Sequence, residues 1–269
     1  MSDTEKPHRM PQILTHIADT IGVITIDNEP RLNAVTLAMW RAIPEAIARL
    51  EANTNIRVIL LRGAGSRAFV SGADISEFAE VRRDAQSARM YEAENAAAFQ
   101  AVRTTKKPTI AMILGPCIGG GLGLALACDL RIAGVSARFS IPAAKLGLAY
   151  PPDGIADIIA AVGVARAKEL FFTARTIKAD EAQRIGLVSD VVPDEDLSAF
   201  VDTLARTIAD NAPLTISAAK AAIESLRPGA RNDDATIAAA LADAAFDSVD
   251  FAEGRSAFLE KRKPRFEGR

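Results

Sequence analysis

The chain has 269 residues, 49% of them hydrophobic and 25% charged, which fits a globular protein with a sizeable buried core. Its 32 basic and 34 acidic residues give a formal net charge of -2, without the basic excess of proteins that bind nucleic acid. No apolar run reaches the roughly 18 residues of a membrane-spanning helix, and the polar residues 1–11 lack the apolar core of a signal peptide. We therefore expect a cytoplasmic protein with neither nucleic acid nor membrane as a partner.

The N-terminal half predicts strands and helices in alternation, after a flexible tail at residues 1–11. Two β-branched runs, at 13–17 and 21–26, predict a hairpin. Thr36 is a suitable N-cap for a predicted helix over 37–52. Apolar and periodic patterns predict further strands at 58–62, 109–114, 131–133 and 138–140, and further helices at 75–78, 87–104 and 120–127.

The C-terminal half changes from mixed structure to helices alone. Residues 187–192 form the last predicted strand, which Pro193 follows. Helical patterns cover 155–162, 165–173, 179–185, 195–210, 214–226, 233–247 and 252–261. Because strands alternate with helices only up to Pro193, we predict an α/β core over 12–193 and a helical region over 194–269.

The cysteines and histidines offer little for catalysis or metal binding. Cys117 and Cys128 lie in an apolar segment without the spacing of a disulfide framework or a metal site, so we predict buried thiols. The only histidines, His8 and His16, fall in the tail and the first strand. That placement disfavours a histidine base or a nucleophile triad.

Two glycine-bearing segments each follow a predicted strand and precede a predicted helix. They are Phe69-Val-Ser-Gly-Ala-Asp-Ile75 and Gly115-Pro-Cys-Ile-Gly-Gly-Gly-Leu-Gly123. Each leaves free backbone N–H groups at a helix start, and two such groups that converge on one point make an oxyanion hole. Alternatively, the glycines only permit tight turns and close packing. A dinucleotide site is disfavoured, because the third glycine of G-x-G-x-x-G is missing.

The two segments and their neighbours together resemble the enoyl-CoA hydratase/isomerase (crotonase) superfamily from about residue 12 to residue 267. The order and spacing of the matching pieces carry the resemblance. The pieces are Ile24-Thr-Ile-Asp-Asn28, Arg31-Leu-Asn-Ala34, Ser71-Gly-Ala-Asp74, Gly119-Gly-Gly121, Ala127-Cys-Asp-Leu130, Gly186-Leu-Val188 and Ser256-Ala-Phe-Leu-Glu-Lys-Arg-Lys263.

The resemblance implies a spiral of ββα units with a C-terminal helical region that forms a homotrimer or a dimer of trimers. The backbone N–H groups of Ala73 and Gly120 would hold the thioester oxygen of an acyl-CoA substrate. No separate cofactor and no metal are implied, since coenzyme A arrives as part of the substrate. The residues implied in contacts with coenzyme A are Arg31, Leu32, Ala34, Ser71, Asp74, Ile75, Phe258 and Lys261. For Lys261, a solvated charge in a basic run is the alternative.

The chain departs from the family pattern at both catalytic glutamates of the hydratases. Gly123 stands where the first glutamate is expected, and Ala143 stands where the second is expected. Each acid–base group contributes about 10²–10⁴-fold, so the loss of both predicts a hydratase weakened by roughly 10⁴-fold or more.

Four other side chains are candidates near the acyl group. The segment that ends at Tyr150 resembles a loop of methylmalonyl-CoA decarboxylase-like members, in which a tyrosine lies beside the acyl group. We therefore count Tyr150 as catalytic. Asp153 is more simply a helix N-cap, Lys145 a surface charge and Glu77 a solvated helix residue.

Three functions follow as hypotheses. The first is an enzyme that decarboxylates a malonyl-type acyl-CoA, because loss of CO₂ makes an enolate without a base. The second is a weak hydratase or isomerase that uses Tyr150 or Asp153. The third is a non-catalytic acyl-CoA-binding protein.

Overall fold

A computed structural model describes residues 10–227 and 233–269, apart from the side chain of Asp153. Most of the predicted tail, including His8, therefore lies outside the described residues. The strands are β1 (Gln12–Ala18), β2 (Ile21–Asp27), β3 (Val58–Gly63), β4 (Thr109–Ile113), β5 (Pro116–Ile118), β6 (Leu130–Gly134), β7 (Arg138–Ser140), β8 (Ile177–Lys178) and β9 (Asp190–Val192).

The described strands form two sheets. The larger has the order β1-β2-β3-β4-β6-β9, and the smaller has the order β5-β7-β8. β1 and β2 form the predicted antiparallel hairpin, and the neighbours from β2 to β9 pair in parallel. Every residue of β2 is buried, as expected for a strand that is covered on both faces.

Helices cover both faces of the larger sheet and continue beyond it. Their bounds are α1 (Leu37–Ala52), α2 (Phe78–Val81), α3 (Ala85–Thr104), α4 (Gly120–Ala127), α5 (Ala143–Leu146), α6 (Pro152–Thr173), α7 (Ala179–Arg184), α8 (Leu197–Ala209), α9 (Pro213–Ser225), α10 (Asp234–Phe246) and α11 (Val249–Glu260). Short 3₁₀ helices lie at Glu29–Arg31 and Ile75–Glu77.

The predicted boundaries of α1 and α4 are confirmed. Thr36 caps α1 as predicted, because its Oγ1 accepts a hydrogen bond from the Met39 N–H at 3.3 Å. Pro44 lies inside α1.

The region around α6 agrees with the prediction at its middle and differs at its start. Two helical halves meet at Gly163, whose φ of 74° is non-helical, as the predicted helices over 155–162 and 165–173 require. The predicted N-cap role of Asp153 is wrong, because α6 begins at Pro152 and its N-cap is Pro151. A proline in the first turn loses no hydrogen bond, since that N–H has no partner within the helix.

The core has one part on each side of the larger sheet. On one side, aromatic and aliphatic residues of α1, α3 and α4 pack on the strands. On the other side, Leu197, Val201 and Ala205 of α8 pack against Val58 and Ile110. The first helix after Pro193 is therefore part of the sheet packing, and the predicted domain division at 193 stays a prediction.

The last helices expose large apolar side chains in the single chain. Leu226 is 85% exposed, Phe258 84% and Leu259 74%. Exposed apolar side chains at this density are typical of a surface that another protein covers. The predicted trimer or dimer of trimers stays a prediction.

Candidate active site

The two glycine-bearing segments lie side by side. Val70 and Cys117 form a parallel bridge, and the Ile118 N–H donates a hydrogen bond to the carbonyl of Val70 at 3.0 Å. Gly72 has a φ of +115°, and a β-carbon there would lie 3.3 Å from the Ile118 carbonyl oxygen. Glycine at 72 thus permits both the backbone conformation and the close approach.

The backbone N–H of Ala73 is available as a donor. The groups around it are used, because the Val35 N–H donates to the Gly72 carbonyl at 2.8 Å and the Asp74 N–H donates to the Val35 carbonyl at 2.9 Å. Among the described residues, the Ala73 N–H has no hydrogen-bond acceptor.

The backbone N–H of Gly120, the first residue of α4, is also available. The Gly119 N–H donates to the Ser140 carbonyl at 2.9 Å, and the hydrogen-bond ladder of α4 begins with the Gly123 N–H on the Gly119 carbonyl at 3.1 Å. The Gly120 N–H has no acceptor in the described part of the chain, and it stands at the positive end of the helix dipole. Both N–H groups can therefore donate to an oxyanion of a ligand.

Trp40 packs directly behind Gly120, and the sequence patterns did not identify it. A β-carbon on Gly120 would lie 3.1 Å from Cζ2 of Trp40, whose side chain is fully buried. Its Nε1 donates a hydrogen bond to the Tyr91 hydroxyl at 2.9 Å, and its ring meets Phe99 edge-on at 5.6 Å. These aromatic residues of α1 and α3 form the wall behind the free N–H of α4.

The structure brings the Tyr150 hydroxyl to the same place. A β-carbon on Gly119 would lie 3.4 Å from this hydroxyl, and the Tyr150 ring packs edge-on against Phe171 at 5.4 Å. Burial raises the pKa of Tyr150 to about 12, with a further increase from Glu92 and a decrease from Arg82. The hydroxyl is therefore protonated at neutral pH and can donate a hydrogen bond there.

Neither position of an expected glutamate carries a carboxylate, and at one of them the space is filled. A β-carbon on Gly123 would lie 2.7 Å from Cζ of Phe99, a distance that β-carbons essentially never have from a non-bonded atom. Ala143 is buried at the start of α5. These two positions therefore do not provide the pair of carboxylates expected for a hydratase.

A partly buried ion pair between Arg82 and Glu92 stands near Tyr150, and sequence reasoning missed it. Nη2 of Arg82 donates to Oε1 of Glu92 at 2.5 Å, and the guanidinium lies 4.5 Å from the ring centre of Phe78 and 4.3 Å from that of Tyr91. Burial raises the pKa of Glu92, although Arg82 and Asn95 oppose this increase. Arginine and glutamate are common on helix surfaces, so no sequence signal distinguished this pair.

Hydrogen bonds join the loop that contains Arg31 to the loop that contains Asp74. Nη1 of Arg31 donates to Oδ1 of Asp74 at 2.7 Å and to the Ser76 hydroxyl at 2.5 Å. Burial alone would raise the pKa of Asp74, but hydrogen bonds from Ser76 and Arg31 lower it below its ordinary value. The Ser71 hydroxyl donates to the Arg31 carbonyl at 3.1 Å, and the Ser71 N–H donates to the Leu32 carbonyl at 3.0 Å. These loops therefore form one unit beside Ala73.

The other residues implied in coenzyme A contacts differ in exposure. Ile75 is exposed next to this unit, whereas Ala34 is buried and its carbonyl accepts a hydrogen bond from Asn28 at 2.8 Å. Phe258 is exposed on α11, and Lys261 ends α11 in the left-handed conformation. In the single chain, Phe258 and Lys261 thus belong to a different part of the surface, and their contact with the nucleotide stays a prediction.

Glu77 and Lys145 lie outside the catalytic geometry. Glu77 is half-exposed, and its Oε2 also accepts a hydrogen bond from the Leu37 N–H at 2.8 Å, at the start of α1. Lys145 is exposed on α5. Glu77 therefore joins the loop after Gly72 to the first turn of α1.

The predicted buried thiols are confirmed, since Cys117 and Cys128 are both free and buried, and burial raises the pKa of each. In the described ranges, no three histidine, cysteine, aspartate or glutamate side chains are grouped as a metal site would require. No described helix combines the length and the apolar character needed to cross a bilayer.

Solved structures of similar chains have the same fold. An enoyl-CoA hydratase/carnithine racemase from Magnetospirillum magneticum superposes with a TM-score of 0.90 at 37% identity, over 97% of each chain. An enoyl-CoA hydratase from Bacillus anthracis superposes with a TM-score of 0.85 at 32% identity, over 96% of this chain and 99% of that one. The predicted crotonase fold is thereby confirmed.

Sequence relatives lead to the same family. A short-chain-enoyl-CoA hydratase of Clostridium acetobutylicum is 35% identical over 246 residues, which are 90% of this chain and 92% of that protein. A crotonyl-CoA hydratase of Syntrophomonas wolfei is 34% identical over 257 residues, or 94% and 97% of the two chains. Residues 16–269 match the family model described as Enoyl-CoA hydratase/isomerase. The chain therefore belongs to the enoyl-CoA hydratase/isomerase family of the crotonase superfamily.

Proposed function

We propose that this family member converts a bound acyl-CoA thioester into its enolate, and that loss of CO₂ from a malonyl-type acyl group is the reaction it favours. One observation carries the proposal. The free N–H groups of Ala73 and Gly120 are kept, while Gly123 and Ala143 provide no carboxylate. The site thus has the means to stabilise an enolate without the usual acid–base pair.

Decarboxylation suits this combination of groups. The bond between Cα and the carboxylate carbon breaks, CO₂ leaves, and the electron pair of the bond becomes the enolate. The negative charge then resides on the thioester oxygen, to which two backbone N–H groups can donate hydrogen bonds. Loss of one such donor typically costs about 10²–10³-fold in rate, so the two donors supply a large part of the rate enhancement.

Tyr150 is the side chain that would meet the acyl group. Its protonated hydroxyl lies beside Gly119, one residue before the free N–H of Gly120. From there it can orient the substrate carboxylate by a hydrogen bond, or donate a proton to the enolate. The neutral Tyr150 hydroxyl also avoids the electrostatic repulsion that a carboxylate beside Gly119 would exert on a malonyl-type substrate.

Coenzyme A would lie along the joined loops beside Ala73. The exposed guanidinium of Arg31 and the exposed side chain of Ile75 face solvent there, as contacts with pantetheine and adenine require. In a trimer, Phe258 and Lys261 of a neighbouring subunit would reach the nucleotide end. The substrate brings coenzyme A, so the reaction needs no separate cofactor.

Hydration or isomerisation of an enoyl-CoA is the second candidate. It is supported by the names of two relatives, a short-chain-enoyl-CoA hydratase and a crotonyl-CoA hydratase. In this chain it would depend on Tyr150 or Asp153 for proton transfer, and we expect it to be slow.

The test is a comparison of kcat/KM for methylmalonyl-CoA and ethylmalonyl-CoA with that for crotonyl-CoA, with products identified by mass spectrometry. We expect the malonyl-type thioesters to react faster. Crotonyl-CoA turnover at about 10⁷ M⁻¹s⁻¹ or above would contradict the proposal, since that value approaches the diffusional limit. Tight binding of every thioester without turnover would instead support a non-catalytic binding protein.

A further inference from the structure

We propose that Glu92 is the proton-transfer residue of this site and takes over the acid–base work of the carboxylates that Gly123 and Ala143 lack. The inference rests on the enolate site of the proposed function, but not on decarboxylation. It adds a residue from α3, an element to which the resemblance assigned no catalytic group.

Glu92 of α3 lies within electrostatic reach of Tyr150, whose hydroxyl stands beside Gly119. Glu92 and Phe99 are seven residues apart, so they lie on the same face of α3. Phe99 fills the space beside Gly123, and its ring meets the Trp40 ring that covers Gly120. Glu92 follows Tyr91 in sequence, and the Tyr91 hydroxyl accepts the hydrogen bond from Trp40.

Glu92 is held by an ion pair and remains partly accessible. The Arg82 side chain that holds it is only 10% exposed, whereas the Glu92 side chain is 28% exposed. Arg82 binds Oε1, and Nδ2 of Asn95 lies 3.5 Å from Oε2. A carboxylate that is held by hydrogen bonds and still partly accessible can act as a general base.

Two of the side chains around Glu92 have a buried polar atom that makes no hydrogen bond within the described part of the chain, which costs folding free energy. In the described residues, Nε of Arg82 and Oδ1 of Asn95 are buried without any hydrogen-bond partner. Such groups destabilise a fold by about 1–3 kcal/mol each, and a catalytic role is one of the explanations for them. Since burial raises the pKa of Glu92, its proton affinity is shifted towards the neutral range in which acid–base catalysts work.

Glu92 transfers a proton from and to Cα of the acyl group. The Glu92 carboxylate removes a proton from Cα, and the electrons of the C–H bond become the enolate, whose oxygen accepts hydrogen bonds from Ala73 and Gly120. Return of the proton restores the thioester and the carboxylate. After decarboxylation, protonated Glu92 gives its proton to Cα and takes another from water. Tyr150 is a poor base at neutral pH, because its pKa is about 12.

Exchange of the Cα hydrogens of butyryl-CoA in D₂O tests Glu92 separately from decarboxylation, since butyryl-CoA has no carboxylate to lose. We expect the wild-type enzyme to catalyse exchange, and Glu92→Gln to reduce it by about 10²-fold or more. CO₂ release from methylmalonyl-CoA by the same variant should fall much less, because that step makes the enolate without a base. Butyryl-CoA affinity and circular dichroism show whether Glu92→Gln is folded.

Glu94→Gln is the matched control, because Glu94 lies on the same helix and pairs with Arg41 at 2.8 Å on a more exposed surface. It should leave exchange unchanged. Glu92→Asp keeps a carboxylate, so it should retain more exchange than Glu92→Gln. If Glu92→Gln does not fold, Glu92→Asp takes its place in the comparison with the wild-type enzyme.

The outcomes separate the two proposals. Exchange in the wild-type enzyme that persists within about threefold in Glu92→Gln overturns the role of Glu92. CO₂ release without any wild-type exchange also overturns it and leaves the proposed decarboxylation intact. Glu92-dependent exchange without CO₂ release supports Glu92 and contradicts decarboxylation. Absence of both reactions, with butyryl-CoA bound, contradicts both proposals.

Discussion

The ring of Phe99 occupies the space beside Gly123, so that a β-carbon at position 123 would lie 2.7 Å from Cζ of the ring. In the family pattern, a glutamate would project from this position of α4. Position 123 therefore lacks both a side chain and the space for one, because Phe99 of α3 lies there. Restoring the glutamate alone would not restore the geometry of a hydratase.

Gly123→Ala should destabilise the protein, although alanine favours a helix over glycine. The added methyl group meets Phe99, and overpacking of this kind costs about 1–3 kcal/mol in the free energy of unfolding. Gly254→Ala in α11 is the control, because its β-carbon would approach no atom closer than 3.5 Å. It should be neutral or stabilising by up to about 1 kcal/mol. Urea denaturation of both variants checks this, and equal effects would contradict the packing argument.

Tyr150→Phe should slow turnover of a malonyl-type thioester and leave the affinity for coenzyme A nearly unchanged. One hydroxyl near the acyl group contributes little to the binding of the distant nucleotide. Steady-state kinetics and calorimetry measure the two effects. A loss of affinity as large as the loss of kcat would place Tyr150 outside the acyl site.

The pH dependence of turnover should show no ionisation of Tyr150 at neutral pH. Burial raises the pKa of this hydroxyl to about 12, so the protonated form is present at all lower pH values and is lost only as pH rises through 12. The acidic limb of the pH profile for Cα-hydrogen exchange should instead follow Glu92, whose pKa burial raises above its ordinary value. In the exchange assay, activity requires the Glu92 carboxylate and therefore falls as pH falls through that raised pKa. An acidic limb that is unchanged in Glu92→Asp and Glu92→Gln would refute this assignment.

Acyl-CoA thioesters should bind at micromolar strength or better and raise the melting temperature. A ligand at 100 times its Kd stabilises the native state by about 2.7 kcal/mol through mass action. Calorimetry and thermal melts with a panel of short and long acyl-CoAs provide the measurement. Neither heat nor stabilisation with any member of the panel would contradict an acyl-CoA site.

The exposed apolar side chains of the last helices should be covered in an assembly. Light scattering at micromolar concentration should give three or six times the chain mass of 28.5 kDa. Leu226, Phe258 and Leu259 are too exposed in the single chain to be explained by its own packing. A monomeric mass would contradict the predicted trimer or dimer of trimers.

The parts of the fold that the sequence predicts well are those with local signals. Thr36 and the periodic residues after it specify α1, and continuous apolar runs specify β2 and β3. β5, β8 and α5 were missed, because segments of two to four residues carry too little pattern. The interruption at Gly163 was predicted, because the helical pattern stops at 162 and resumes at 165.

The residues of the candidate site likewise fall into those with a local sequence signal and those without one. Ala73, Gly120 and Tyr150 were named from short motifs, and the structure places all three around one region. Arg82 and Glu92 were not named, because their pairing depends on how α2 and α3 approach the site. The bond from Leu37 to Glu77 spans 40 residues of sequence and has no local signal either.

The contact between Trp40 and Gly120 gives the protein a built-in optical probe. The chain contains one tryptophan, so all of its indole fluorescence originates directly behind a candidate oxyanion donor. The indole N–H is bound to Tyr91, the residue next to Glu92. Occupation of the acyl site and rearrangement of α3 therefore both act on a single emission spectrum, which can be followed in stopped-flow mixing without any label.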